Sequence, residues 1–125
     1  GADIIMPLDQ CVPPGENSEE LEAAVQRTYS WAIRSQEAQR RHDQALFGIL
    51  QGGIFSDLRA ESARFIAALD FPGNAIGGLS VGESKDELLA MTELVTDILP
   101  VGKPRYLMGV GSPADLVCLV DSISP

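Results

Sequence analysis

Ala45-Leu46-Phe47-Gly48-Ile49-Leu50, then Gln51-Gly52-Gly53, then an amphipathic segment opening near Ser56: this stretch decides the fold. The first six residues run without the polar alternation of a half-solvated strand, so they predict a strand covered on both faces. The Gly-Gly pair breaks that strand into a turn. Beyond it, Leu58, Phe65, Ile66 and Leu69 form the apolar stripe of a helix. Strand, glycine turn and helix, in that order, make one βα unit.

The pattern extends outward in both directions. Upstream, Ile4-Ile5-Met6-Pro7-Leu8 closes on Asp9, and the turn Cys11-Val12-Pro13-Pro14-Gly15 follows. A helix is predicted from near Ser18 to about Arg41. Glu19 and Glu20 lie at its positive dipole end, and Leu21, Ala24, Val25, Thr28 and Ala32 form its buried stripe. Downstream, Asn74-Ala75-Ile76 closes on Gly77-Gly78-Leu79. Ser84-x-x-Glu87 then has the pattern of a capping box, and Leu88, Met91, Val95 and Ile98 make the stripe. The last unit is Arg105-Tyr106-Leu107-Met108, closing on Gly109-Val110-Gly111. Ser112 caps its helix, Pro113 stands where a missing N–H costs nothing, and Leu116, Val120 and Ile123 are expected to face inward.

Four consecutive βα units predict an α/β fold with parallel strands and right-handed crossovers. Two architectures fit: a small open doubly wound sheet, or part of a (β/α)8 barrel of the TIM type. A whole barrel takes ~250 residues, so the 125 residues here would supply about half. The chain begins at a strand and stops within a helix at Ser124-Pro125 with no linker. It therefore reads as a single partial barrel domain over residues 1–125, an excerpt of a longer protein.

Composition narrows the class. Hydrophobic residues at 45% and charged residues at 22% belong to a soluble globular chain, not a disordered one. No apolar run approaches the ~20 residues of a membrane helix, and Gly1-Ala2-Asp3 lacks the basic start of a signal peptide. No membrane partner and a cytoplasmic location are expected. Cys11 and Cys118 give neither a disulfide framework nor zinc spacing. A net charge of −9 argues against this segment holding nucleic acid unaided, because phosphate contacts come from Lys and Arg.

The residues that carry chemistry follow the strands directly: Asp9, Cys11, Gln51, Gly52, Gly53, Gly77, Gly78, Met108 and Gly109. In parallel α/β folds the carboxyl ends of the strands form the ligand face, so four turns should converge on one pocket. A carboxylate at Asp9, an amide at Gln51, close-approach backbone at Gly77-Gly78 and a polarisable surface at Met108 suit a purine-like heterocycle. A carboxylate pairs with guanine's N1–H and N2–H donors, and an amide or backbone N–H with O6. The same residues also have plain roles: Asp9 as a turn former, Gln51 and the Gly pairs as turn residues, Met108 as core, Gly109-x-Gly111 as ordinary turn chemistry and Cys118 as packing. His42 is the sole histidine, at a solvated helix end, and makes neither a triad nor a metal site.

Four strings, in order, cover essentially the whole chain: 1–11 (GADIIMPLDQC), 46–53 (LFGILQGG), 75–83 (AIGGLSVGE) and 103–111 (KPRYLMGVG). Together they resemble the tRNA-guanine transglycosylase family, the queuosine-pathway enzymes. The resemblance implies that Asp9 reads the edge of guanine or a 7-deazaguanine, and that Gln51 and the Gly78 N–H contact the ring oxygen. It implies that the Leu79 carbonyl accepts from the aminomethyl group of preQ1, that Met108 and Gly109 pack against the ring, and that Cys11 lines the pocket. Glu83 would set the backbone of the Leu79 turn. Val81 and Cys11 resemble the preQ1-using bacterial branch and speak against an archaeosine-type relative. Gln10 departs from the Glu common there. The family reaction is base exchange at the tRNA wobble position through an aspartate nucleophile. By resemblance, nucleophile, second catalytic aspartate, zinc site and basic tRNA surface all lie outside these residues. Asp3, Asp115 and Asp121 are not substitutes. The implied partners are guanine or preQ1, and tRNA through the longer protein. The segment alone is then expected to be inactive, with no catalytic residue, metal site or cofactor of its own. Two alternatives are a non-catalytic half-barrel that binds the base, and a structural half-barrel that self-associates as a homodimer through its open edges.

Overall fold

A computed structural model describes the backbone of residues 1–123 and the side chains of residues 1–120. In chain order the elements are β1 (Ile4–Ile5), α1 (Ser18–Ala38), β2 (Ala45–Leu46), β3 (Gly48–Leu50), α2 (Ser56–Ala68), β4 (Asn74–Ile76), α3 (Lys85–Thr96), β5 (Arg105–Leu107) and α4 (Pro113–Ile123). The predicted strand 45–50 is present as β2 and β3, divided at Phe47. Its first half pairs with β1 and its second half with β4, all parallel. At the division the Phe47 N–H donates to Ile5 O at 3.0 Å, and the Gly48 N–H donates to Gly73 O at 3.0 Å. β4 in turn pairs in parallel with β5. Spatial order therefore follows chain order without reversal.

Each crossover carries one helix, and consecutive helices pack on one another: α1 on α2, α2 on α3, α3 on α4. Crossovers of one hand between strands in sequential order place their helices on one face of the sheet. On that face, registered Leu50, Ile76 and Leu107 enter a common core with Val25, Ile66, Met91, Val95 and Leu119. Expelling this apolar surface from water is the main force holding the layers together.

Several expectations are adjusted. β1 stops at Ile5, and Pro7 has no N–H to offer a ladder. β5 stops at Leu107, short of Met108. α1 ends at Ala38 and not near Arg41, because Gln39 turns extended at ψ 129 and its Nε2 donates to Gln44 O at 2.6 Å. His42 sits exposed in the turn beyond that helix. The expected stripe of α1 is buried as read, joined by Tyr29, whose ring stacks on Phe65 at 3.9 Å.

On α2 the buried residues are Arg59, Ala60, Ser62, Ala63 and Ile66; Leu58, Phe65 and Leu69 pack only partly. The larger correction is α4. Leu116 is 60% exposed and Val120 53%, and Leu119 is the residue that reaches the core. Leu116 and Val120 turn from α3 toward the free side of β5, where with Tyr106 and Val110 they line an open groove. Ile123 lies outside the described side chains. Cys118 is exposed, not packed. Coverage of both strand faces holds for β3 and β4 but not for the edges, where Ile4 is 53% and Tyr106 47% exposed.

Candidate functional site at the strand ends

The turn after β3 and the turn after β4 meet. Gln51 is buried, and its backbone N–H donates to Ser62 Oγ on α2 at 3.1 Å. Its side-chain Nε2 donates to Asp9 Oδ2 at 2.6 Å, across 42 residues of chain. Its Oε1 is buried without a partner. A buried acceptor with no donor costs free energy of order 1–3 kcal/mol, so the Gln51 amide carries an unmet demand for an N–H or O–H. Gly77 permits this closeness, since a Cβ there would stand 2.7 Å from Gln51 Nε2. Gly78, at φ 69, is the left-handed residue that turns the chain over Gln51, and a side chain on it would strike Gln51 Oε1.

Cys11 lies beside this group. The residue is exposed, yet partial burial of its sulfur pushes the thiol above its ordinary 9.0. The nearby Asp9 charge adds to that, while Arg59 and a hydrogen bond from the Gly78 backbone oppose it. Cys11 is therefore a neutral thiol at physiological pH and no ready nucleophile.

The turn after β4 is set by Glu83. Its carboxylate accepts from the Val81 N–H at 3.0 Å and from the Ser80 N–H. Burial pushes this carboxyl up, but the N–H groups of Val81, Ser80, Glu83 and Gly82 outweigh it and hold the carboxyl below its ordinary 4.5. Ser80 takes a left-handed φ of 59, and its Oγ donates to Gly109 O at 3.0 Å, joining this turn to the one after β5. Leu79 is buried, with its carbonyl 3.9 Å from where a Cβ on Gly109 would stand. Met108 donates its N–H to Ile76 O at 3.1 Å, and its side chain is half-buried. Val81 is exposed at the rim.

The residues singled out at the strand ends thus fall into two linked groups: Asp9, Cys11, Gln51 and Gly78, and Leu79, Val81, Glu83, Met108 and Gly109. A partly open cleft of ≈ 150 Å³ adjoins both on the Gly78–Val81 side, walled by Val12, Pro14, Ile54 and Phe55. It does not reach Asp9, Gln51 or Met108, so it flanks the polar pair and does not contain it.

Arg59 went unnoticed in the sequence. It is fully buried on the first turn of α2, and its guanidinium donates three times to backbone: Nε to Gly53 O at 2.6 Å, Nη1 to Gly77 O at 2.6 Å, and Nη2 to Gly78 O at 2.9 Å. Burial lowers its pKa to about 10, against the pull of Cys11 and Glu83, so it stays a cation at neutral pH. The available signal was spacing. Arg59, Ser62, Ala63 and Ile66 share one helical face, and a charge on such a face is rare unless its hydrogen bonds are satisfied.

A family model described as queuine tRNA-ribosyltransferase matches residues 1–122. The chain belongs to the queuine tRNA-ribosyltransferase family. It is 56% identical over 117 residues to a protein named queuine tRNA-ribosyltransferase from Herpetosiphon aurantiacus, covering 94% of this chain and 30% of that relative. A relative of the same name from a Nostoc species is 49% identical over 122 residues, with 98% and 33% covered. One from Geobacillus thermodenitrificans is 53% identical over 118 residues, with 94% and 31% covered. The chain thus spans about a third of the length of the curated relatives it matches. Among the described residues no helix is long and apolar enough to cross a membrane. No three His, Cys, Asp or Glu side chains among them gather as a metal-ligand set.

Proposed function

We propose that this chain is the base-reading part of a tRNA-guanine transglycosylase, the activity that exchanges guanine for preQ1 at the tRNA wobble position. The observation that carries this reading is the Asp9–Gln51 pair at 2.6 Å, a carboxylate and an amide donor side by side beneath the Gly78 turn. In this structure the carboxylate and the amide satisfy each other in part. A guanine-type edge offers N–H donors to Asp9 and an oxygen to Gln51 Nε2 and the Gly78 N–H, so the base takes over both partners of the internal contact. The Leu79 carbonyl and the Glu83-held turn then face the aminomethyl group of preQ1. Val81 and Cys11 at the rim favour that small substituent over a bulkier one.

The fold supports half of a (β/α)8 barrel, because strand order follows chain order and the helices form a one-sided layer. An apolar groove along β5 and α4 is where a fifth unit of such a barrel would pack. We assign the nucleophilic aspartate, the second catalytic aspartate, the zinc site and the basic tRNA surface to the part of the relatives' length that this chain does not span. The acidic charge of −9 fits that division. tRNA is then a partner of the longer protein, acting in the cytoplasm, and the base is the ligand of these residues. The same open groove also favours a second reading, self-association of the chain as a homodimer.

Titration calorimetry of the chain with guanine and with preQ1 tests the proposal. Asp9→Asn keeps the shape and removes the charge. Loss of one charge-assisted hydrogen bond predicts affinity weaker by about 10- to 100-fold. No heat with either base, or equal affinity in Asp9→Asn, overturns the reading.

A further inference from the structure

We infer that Arg59 is a positioning residue of the base pocket: by pinning carbonyls in two strand-end turns it aims the Gly78 N–H at a ligand oxygen, and so gives the site its preference for an oxo-purine. This rests on the base-reading proposal above.

The argument begins with the peptide plane. In a trans peptide, C=O and N–H of the same unit point in opposite directions. Arg59 Nη1 holds the Gly77 carbonyl at 2.6 Å, so the N–H of that peptide, which belongs to Gly78, is turned away from the guanidinium. The Gly78 backbone lowers the Cys11 thiol's pKa, which places that weakly accepting sulfur nearby, where a ligand oxygen can take its place. Arg59 Nη2 holds the carbonyl of the next peptide unit, Gly78 O, at 2.9 Å, so the two peptide units that flank the Gly78 Cα are both held. Without the clamp, φ 69 at Gly78 is one of several conformations open to glycine.

The third bond, Nε to Gly53 O at 2.6 Å, anchors the same guanidinium to the turn after β3, which also carries Gln51. The two groups offered to a ring oxygen, Gln51 Nε2 and the Gly78 N–H, are therefore held in register by one planar side chain. Burying a cation with no carboxylate partner is costly, and an apolar residue would fill this helix face more cheaply. Lysine has neither the fork nor the planarity to hold three carbonyls at once.

The test compares guanine with 2-aminopurine, which lacks the exocyclic oxygen and with it the N1–H but keeps the 2-amino donors, on the chain and on Arg59→Lys. For a positioning role, guanine affinity falls by about 10-fold or more while 2-aminopurine changes by less than about 3-fold. Equal loss for both ligands, or no loss for either, overturns the inference, because a residue that only holds the fold together does not sense the oxygen. Amide exchange by NMR provides a ligand-free readout. Glycines 53 and 78 should exchange about 10-fold faster in Arg59→Lys while amides of β4 and α3 are unchanged. Unchanged glycine exchange overturns the inference. If Arg59→Lys does not fold, the unsubstituted chain decides: the Gly78 amide resonance should move downfield with guanine and not with 2-aminopurine, and the same shift with both overturns it. If the unsubstituted chain binds neither base, the base-reading proposal fails, and the exchange measurement still decides whether Arg59 orders the two turns.

Discussion

Glu83 shows how one carboxylate can shape a turn that has no regular structure. Its oxygens accept from the N–H groups of Ser80 and Val81, which hold Ser80 at φ 59 and the Leu79 carbonyl in place. Because the folded carboxyl lies below its ordinary 4.5, its contribution is complete above that value and fades as pH falls through the folded pKa. Glu83→Gln should cost about 1 kcal/mol at neutral pH, a charge-assisted bond discounted for solvent screening. Urea unfolding should show that gap closing as the pH is lowered through the carboxylate range. A gap independent of pH would show that the charge is not what holds the turn. At this scale Asp9 and Gln51 were legible because a polar residue closing an apolar run has a known address at the strand ends of a parallel fold, even though β1 itself stops at Ile5. Arg59 was not legible, because its partners are backbone carbonyls from two remote turns, which no side-chain pattern records.

The helices were legible as elements because their signals are local. Ser84 Oγ accepts from the Glu87 N–H at 3.2 Å, and the Glu87 carboxylate accepts from the Ser84 N–H at 2.8 Å, both read from a four-residue pattern. Ser84→Ala should lower stability by about 1 kcal/mol and Ser84→Gly by only a few tenths, measured as shifts of the denaturation midpoint. Equal effects of the two would mean that the cap bond carries little. Ser112 and Asp115 repeat the arrangement at α4, with Ser112 Oγ accepting from the Asp115 N–H at 3.3 Å and Asp115 Oδ2 accepting from the Ser112 N–H at 3.2 Å. Which way a helix turns is a different matter. The stripe of α1 is buried as expected against α2 and β3, and that of α3 between α2 and α4 except at Ile98, which lies past the helix and is only partly buried while Leu99 reaches the core. The stripe of α4 was misread because Leu116, Val117 and Val120 are as apolar as Leu119, and only the neighbour decides which is buried.

The whole molecule is a one-sided α/β layer whose apolar surface continues past β5 onto α4, with Leu116, Val117 and Val120 at 60%, 76% and 53% exposure. An exposed patch of this kind invites association. Replacing Leu116 and Val120 by Ser should change stability by no more than about 0.5 kcal/mol, as for surface positions, and should reduce concentration-dependent association in sedimentation velocity. A large loss of stability instead would mean that the groove is already filled in solution. The sequence by itself determined the order of strands and helices, the helix caps and the strand-end address of Asp9, Gln51, Gly78 and Met108, since each depends on periodicity or on a few adjacent residues. Tertiary structure alone decided that Asp9 meets Gln51, that Arg59 staples the two glycine turns and that α4 exposes much of its apolar face. Those facts depend on chain segments up to 42 residues apart arriving at one place, and local pattern holds no distance between them.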